Sequence, residues 1–330
     1  MAKGNNLPSK MYKVGQRTER HLRFVFTPGS DQERSTFIDI AKALSAVNRR
    51  FYRQGLYYYV SNVTIHNSSN AWVSIHTLPD TYMTKNAWIR AYKLWQKMQA
   101  RAQVAGGPQS VPGRYRDFKV AMTGDHNFSA SESPDYGMIS PNVIQTDEWA
   151  QSRYTTDDPD NAGDMTHSPD QFYCHMVGPH NGSDNNWVSI GAIASYGSTR
   201  REYDGTDDEA DEAAGAYAVD PFSSLFDAGD SHDEILGDLV MENDEAPYDH
   251  DRLIGEYDDE DLIVVAQCAT GGSSGSATVA RAGGFCAPLG LIKIVTDESP
   301  DTGSDSIGAI EVNFEVVPGT YHGVYAERIL

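Results

Sequence analysis

The stretch Leu56-Tyr57-Tyr58-Tyr59-Val60-Ser61-Asn62-Val63-Thr64-Ile65-His66-Asn67-Ser68-Ser69-Asn70-Ala71-Trp72-Val73-Ser74-Ile75-His76-Thr77 decides the fold. Leu56 to His66 and Ala71 to Thr77 are rich in β-branched and aromatic residues that alternate with polar ones, and a polar turn separates them. Segments of this kind are strands that turn every second side chain toward a core. Working outward, six more segments have the same character: Arg20 to Thr27, Tyr115 to Thr123, Asn186 to Ser195, Leu262 to Thr270, Phe285 to Val295 and Ala309 to Val317. Eight strands without a repeating strand-helix rhythm predict a mainly β chain, folded as a single antiparallel sandwich. The 29 Gly and 15 Pro in 330 residues suit a turn-rich β protein. A chain of this length builds a core without staples.

Two helices are expected among the early strands. Residues 31 to 54 hold the first, where Ser30 or Asp31 caps, Glu33 completes a capping box, and Phe37, Ile40, Ala41, Leu44, Val47 and Phe51 follow a 3.6-residue period. Residues 84 to 104 hold the second, with Trp88, Tyr92 and Trp95 as a stripe and Lys85, Arg90, Lys93, Lys97 and Arg101 over much of the remainder. The stripe is either a stacking platform for single-stranded nucleic acid or, as aromatics at this spacing more often are, the apolar face of a helix docked on a sheet. The sequence around Trp72-Val73-Ser74-Ile75 is echoed at Trp187-Val188-Ser189-Ile190, each copy preceded by a His-Asn polar turn. Two related strands of one barrel explain the echo, each expected to bury its Trp and show its Ser outward. Two tandem barrels are the alternative.

Charge divides the chain. Residues 1 to 120 carry a balance of +13 and residues 121 to 330 one of −34, for a net charge of −21. Residues 1 to 18 read as a basic N-terminal arm, and residues 19 to 330 as the sandwich domain. Lys3, Lys10, Lys13, Arg17, Arg20 and Arg23 are the candidate nucleic-acid-binding residues, a sparse set suited to phosphate contact without sequence readout. An acidic insertion near residues 196 to 261 includes Asp207-Asp208-Glu209 and Asp258-Asp259-Glu260-Asp261. Charges this dense must be solvated, with room for a short helix near Phe222 to Val240.

Chemistry-bearing patterns are weak. Cys174, Cys268 and Cys286 are an odd number without a close pair, which suggests buried free thiols rather than disulfides or a zinc site. Gly271-Gly272-Ser273-Ser274-Gly275 has the form of a nucleophile elbow, trailed by Asp297 or Asp301 and then His322, which makes a serine hydrolase one alternative. Asp158-Pro159-Asp160-Asn161-Ala162-Gly163 opens like a calcium loop but lacks its later ligands. Calcium at subunit contacts is therefore the one cofactor alternative, and otherwise no cofactor or metal is expected. No apolar run follows Lys3 and none approaches the ~20 residues of a membrane span, so synthesis inside the cell, without secretion or a membrane span, is expected.

Three motifs carry a resemblance: Asp80-Thr81-Tyr82-Met83-Thr84-Lys85-Asn86-Ala87-Trp88, Asn243-Asp244-Glu245-Ala246-Pro247-Tyr248-Asp249, and Gly283-Gly284-Phe285-Cys286-Ala287-Pro288-Leu289-Gly290-Leu291-Ile292. Together with the strand count they resemble the jelly-roll capsid proteins of small icosahedral, circular Rep-encoding single-stranded DNA viruses. The resemblance implies an eight-stranded jelly-roll sandwich, self-assembly of many copies into an icosahedral shell, location in the virion, packaged single-stranded DNA and a host receptor as partners, and no catalytic residues. Such capsids often carry a dense Arg/Lys arm, and this chain has only the modest set named above. A glycan-binding β-sandwich lectin is the other alternative, since jelly rolls host those as well.

Overall fold

A computed structural model describes residues 17–26, 34–67, 71–105, 116–124, 126, 138–139, 151–156, 170–183, 186–199, 253–256, 261–270, 278–298 and 310–329. In chain order the elements are β1 (His21–Phe26), β2 (Arg34–Asp39), α1 (Ile40–Asn48), β3 (Leu56–Asn67), β4 (Ala71–Thr77), α2 (Tyr82–Ala105), β5 (Ala121–Thr123), β6 (Met138–Ile139), β7 (Tyr154–Thr156), β8 (Asp170–Val177), β9 (Asn181–Ser183), β10 (Asn186–Gly191), α3 (Ala192–Ser198), β11 (Ile263–Thr270), β12 (Thr278–Ala282), β13 (Phe285–Pro288), β14 (Leu291–Glu298), β15 (Ile310–Val316), β16 (Pro318–Tyr321) and β17 (Ala326–Arg328).

The protein is mainly β. Eight strands form four nested antiparallel pairs, β1 with β15, β2 with β14, β3 with β12 and β4 with β11, as one long hairpin folded back on itself would give. The pairing of β15 with β3 and of β14 with β4 joins these into two antiparallel sheets, ordered β12-β3-β15-β1 and β11-β4-β14-β2. A third, smaller sheet runs β5-β8-β10-β9, with β8 parallel to both β5 and β10.

Alternation builds the sandwich core. Leu22 and Phe24, Val63 and Ile65, Val73 and Ile75, Ile292 and Ile294, and Val312 and Phe314 are all buried in one cluster contributed by both large sheets. Burying one such side chain contributes roughly 1.5–3 kcal/mol, so these strands hold the sheets face to face. One irregularity is local: the register of β3 against β15 slips beside Ser61, so that Val60 and Val63 both point inward. Opposite that bulge lies Gly284, between β12 and β13, where an added Cβ would stand 2.7 Å from Val60 O. Only glycine lets the two backbones approach so closely.

Several expectations need correction. The first helix spans Ile40–Asn48, not residues 31 to 54, and the stretch before it is the strand β2. Asp39 caps it in place of Ser30 or Asp31, its carboxylate accepting from Lys42 N at 3.0 Å. The cause is burial on both faces: Phe37 points into one core and Ile38 into another, which erases the period of two and merges the strand's apolar run with the helical stripe. The second helix, Tyr82–Ala105, lies where the sequence puts it.

Sixteen strands in three sheets, with β16 outside them, occupy the described residues, rather than eight strands in one sandwich. Tyr115 to Thr123 yields only β5, and Asn186 to Ser195 is β10 followed by α3; both belong to the small sheet. Phe285 to Val295 bends into β13 and β14 at Leu289 and Gly290, whose φ values are +60° and +71°. The echoed strands β4 and β10 have different partners, and no second set of nested pairs accompanies β10 among the described residues. Trp72 is exposed and Ser189 is buried, each against expectation. Residues 200–252 and 257–260 of the acidic insertion, with the helix expected near Phe222 to Val240, lie outside the described residues.

Candidate nucleic-acid interface

Above the β11-β4-β14-β2 sheet a second core gathers around α2. Trp88 and Trp95 are buried with Phe118, Tyr154, Met176 and Ile193, and Phe37 enters from β2. The docked reading of the aromatic stripe therefore holds. Trp88 stacks on Tyr92 at 5.0 Å between centroids, and Phe118 leans on Trp88, Tyr92 and Trp95 at 5.5–5.9 Å. Tyr154 fixes the helix from the far side by donating to Ala91 O at 2.8 Å. With its aromatics turned inward, α2 exposes Lys85, Arg90, Lys93, Lys97 and Arg101 and carries no acidic residue.

One end of this core opens into a cleft of about 730 Å³. Its construction starts where α1 stops. Arg49 adopts a left-handed conformation with φ +52°, which turns Arg50 to Gln54 across the end of the sandwich. Gly55, at φ +87°, then leads into β3 directly beneath the Trp88 indole, where a Cβ would lie 2.2 Å from a ring carbon. Arg50, Phe51 and Arg53 thus form one wall, Trp88, Tyr92 and Phe118 another, and Tyr321, His322 and Arg328 the C-terminal rim.

The arginines are held differently. Arg50 donates to the Thr18 hydroxyl at 3.1 Å and to His322 O at 3.3 Å, and Thr18 itself donates to His322 O at 3.0 Å. Arg53 lies 5.2 Å over the Phe51 ring and donates to Arg116 O at 3.2 Å. Arg116 in turn lies 5.2 Å over the Trp95 ring. The side chains of Arg49 and Arg328 make no hydrogen bond or ion pair among the described residues. Asp117 is the acid of the cleft: burial pushes its carboxyl up to about 6, while Lys119 and Arg53 pull it down. Trp88 Nε1 is a buried donor without an acceptor among the described residues.

Of the six predicted contact residues, Lys3, Lys10 and Lys13 lie outside the described residues. Arg17 is exposed beside Thr18, which ties it to the cleft's edge. Arg20 donates to Val316 O at 3.1 Å. Arg23 is paired with Glu311 at 2.5 Å, so its charge is largely neutralised along β1. The structure adds Arg49, Arg50, Arg53, Arg116 and Arg328, which sequence reasoning passed over. Arg49-Arg50-Phe51-Tyr52-Arg53 was a usable signal, three cations interleaved with two rings; Arg328 had none.

The hydrolase pattern is only partly described: Ser273 and Asp301 lie outside the described residues, and the His322 carbonyl accepts from the Tyr52 hydroxyl at 2.9 Å. Asp158 to Pro169 also falls outside the described residues, and among those described no group of three or more His, Cys, Asp or Glu is placed to hold a metal. The three cysteines are free; burial pushes the Cys174 thiol up to about 12 and Cys286 to about 11, which makes both poor nucleophiles. No described helix is long and apolar enough to cross a membrane. No protein-family model, curated protein or solved structure matches the chain.

Proposed function

We propose that this chain is a viral coat protein that folds as a jelly roll, self-assembles into an icosahedral shell and encloses a single-stranded DNA genome. The order of pairing carries the reading. Numbering the eight nested strands 1 to 8 along the chain gives pairs 1–8, 2–7, 3–6 and 4–5 in two facing sheets. That order supports the reading, because a rolled hairpin, the architecture of viral capsid and lectin domains, would give it. The step from architecture to coat protein is an analogy, and two surface features support it. Arg50 and Arg53 line the cleft and five cations stand exposed on α2, all from the N-terminal third of a chain of net charge −21. Trp72, Ile263, Val264 and Val279 stand 40–53% exposed on and beside the β11 edge, apolar surface of the kind an assembly covers.

The test is direct. Expressed protein, incubated with and without single-stranded DNA across salt, pH and calcium, is expected to form closed particles of uniform diameter by sedimentation and negative-stain microscopy. A strictly monomeric protein in every condition overturns the proposal. The same exposed Trp72 favours the lectin alternative, which saturable glycan binding by a non-assembling protein would establish.

A further inference from the structure

The cleft between α2 and the Arg50–Arg53 segment has the size, wall chemistry and charge of a pocket for a small aromatic anion. At about 730 Å³ it falls within the range of ligand sites. A binding pocket for bare phosphate or sulfate would not need the half-buried rings of Phe51, Tyr92 and Tyr321 that line this one. A sugar chain also packs on ring faces, but an uncharged one makes no use of the arginines. What fits both parts is a planar ring carrying a phosphate. We propose that the cleft binds one nucleoside phosphate of a single-stranded nucleic acid, with the base among the Phe51, Tyr92 and Tyr321 rings and the phosphate at Arg53 and Arg328. The choice of a nucleic-acid strand as the source of that nucleotide rests on the coat-protein reading above.

The guanidiniums are suited to this in complementary ways. Arg53 is held in place by the Phe51 ring and by Arg116 O, so little rotamer freedom remains to be lost on binding. Arg328 has an exposed side chain with no hydrogen bond among the described residues, leaving its donors available to an oxygen anion. A single strand suits a concave site because its bases can be splayed out; in a duplex they remain stacked. The helix that supplies Tyr92 also exposes Lys93, Lys97 and Arg101, a track for the neighbouring phosphates.

Calorimetric titration of the unassembled full-length chain tests this, with deoxythymidine monophosphate, a short oligothymidylate, inorganic phosphate, unphosphorylated thymidine and a heparin disaccharide as probes. The nucleotide is expected to saturate at one per chain, the oligothymidylate to bind more tightly, and phosphate and thymidine each to bind at least about tenfold more weakly than the nucleotide. Arg328→Glu is expected to weaken nucleotide binding by about tenfold or more. Arg281→Glu changes an exposed arginine on β12, outside the cleft, and is expected to leave binding unchanged. Circular dichroism confirms that both variants fold.

Equal binding of phosphate and nucleotide overturns the proposal. So do equal losses in the two variants, preference for the heparin disaccharide, or no binding at all. Light scattering of the same preparations reads assembly separately: particles without nucleotide binding sink only the pocket, and nucleotide binding by a chain that never assembles sinks only the coat reading.

Discussion

The two cores of this protein differ in what fills them. The one between the large sheets is aliphatic, with Val63, Ile65, Val73, Ile75, Ile294 and Val312 supplied by strands that alternate inward and outward. The one around α2 is dominated by rings, with Trp88, Trp95, Phe118 and Tyr154 brought from a helix, a coil segment and a short strand. Branched aliphatic side chains on facing sheets interdigitate and close. Large rigid rings arriving from unrelated elements meet stacked, tilted and edge to face, and here one side stays open as a cleft with arginines at its mouth. The proposed binding site thus lies in the ring-rich layer, and the aliphatic layer has no such opening.

Substitutions can break that separation. The largest effect is expected from Phe314→Ala, which empties a fully packed position between the sheets and should lower unfolding stability by about 3–5 kcal/mol, measured by denaturant titration. Gly55→Ala forces a Cβ against the Trp88 ring at a positive φ and should cost about 1–3 kcal/mol, with a change in tryptophan emission locating the damage in the second core.

Asp117→Asn should raise stability at neutral pH by on the order of 1 kcal/mol. An acid whose pKa is about 6 when folded, against an ordinary 3.8, binds its proton more readily in the native state, so its contribution to stability falls as pH rises from about 4 to about 6. The variant should flatten that slope and, by removing the cleft's acid, strengthen oligothymidylate binding. Flattening without tighter binding would separate Asp117 from the cleft's electrostatics. The smallest effect belongs to Arg23→Ala: an exposed ion pair with Glu311 is worth about 0.5 kcal/mol. Because that charge is already neutralised, DNA retention should hardly change in a salt-dependent binding assay.

Most of the sandwich was legible because its strands keep one face for the core. Ala71 to Thr77 alternates through its whole length, and its bounds coincide with those of β4. The reading failed where a strand is covered on both sides, as at Thr36 to Asp39, all buried, or where a strand is short and built of small residues, as at Thr278 to Ala282. The cleft was barely legible. Its arginines come from residues 50, 53 and 328 and its rings from α2 and Phe118, and only the fold shows that such distant segments meet. Charge segregation drew attention to the N-terminal third, where Arg23 pairs with a cross-strand acid and Arg49 to Arg53, read as part of a helix, form the turn at the cleft.

The nested pairing also sets a schedule for synthesis. β1 leaves the ribosome early, yet Arg23 meets Glu311 only 288 residues later, a delay of roughly 15 to 60 s at ordinary translation speeds. Throughout that interval Leu22 and Phe24 have no β15 to cover them. Outermost strands that must wait for the last one are a standing invitation to chaperones, and nascent chains held before β15 should be where this protein aggregates most readily.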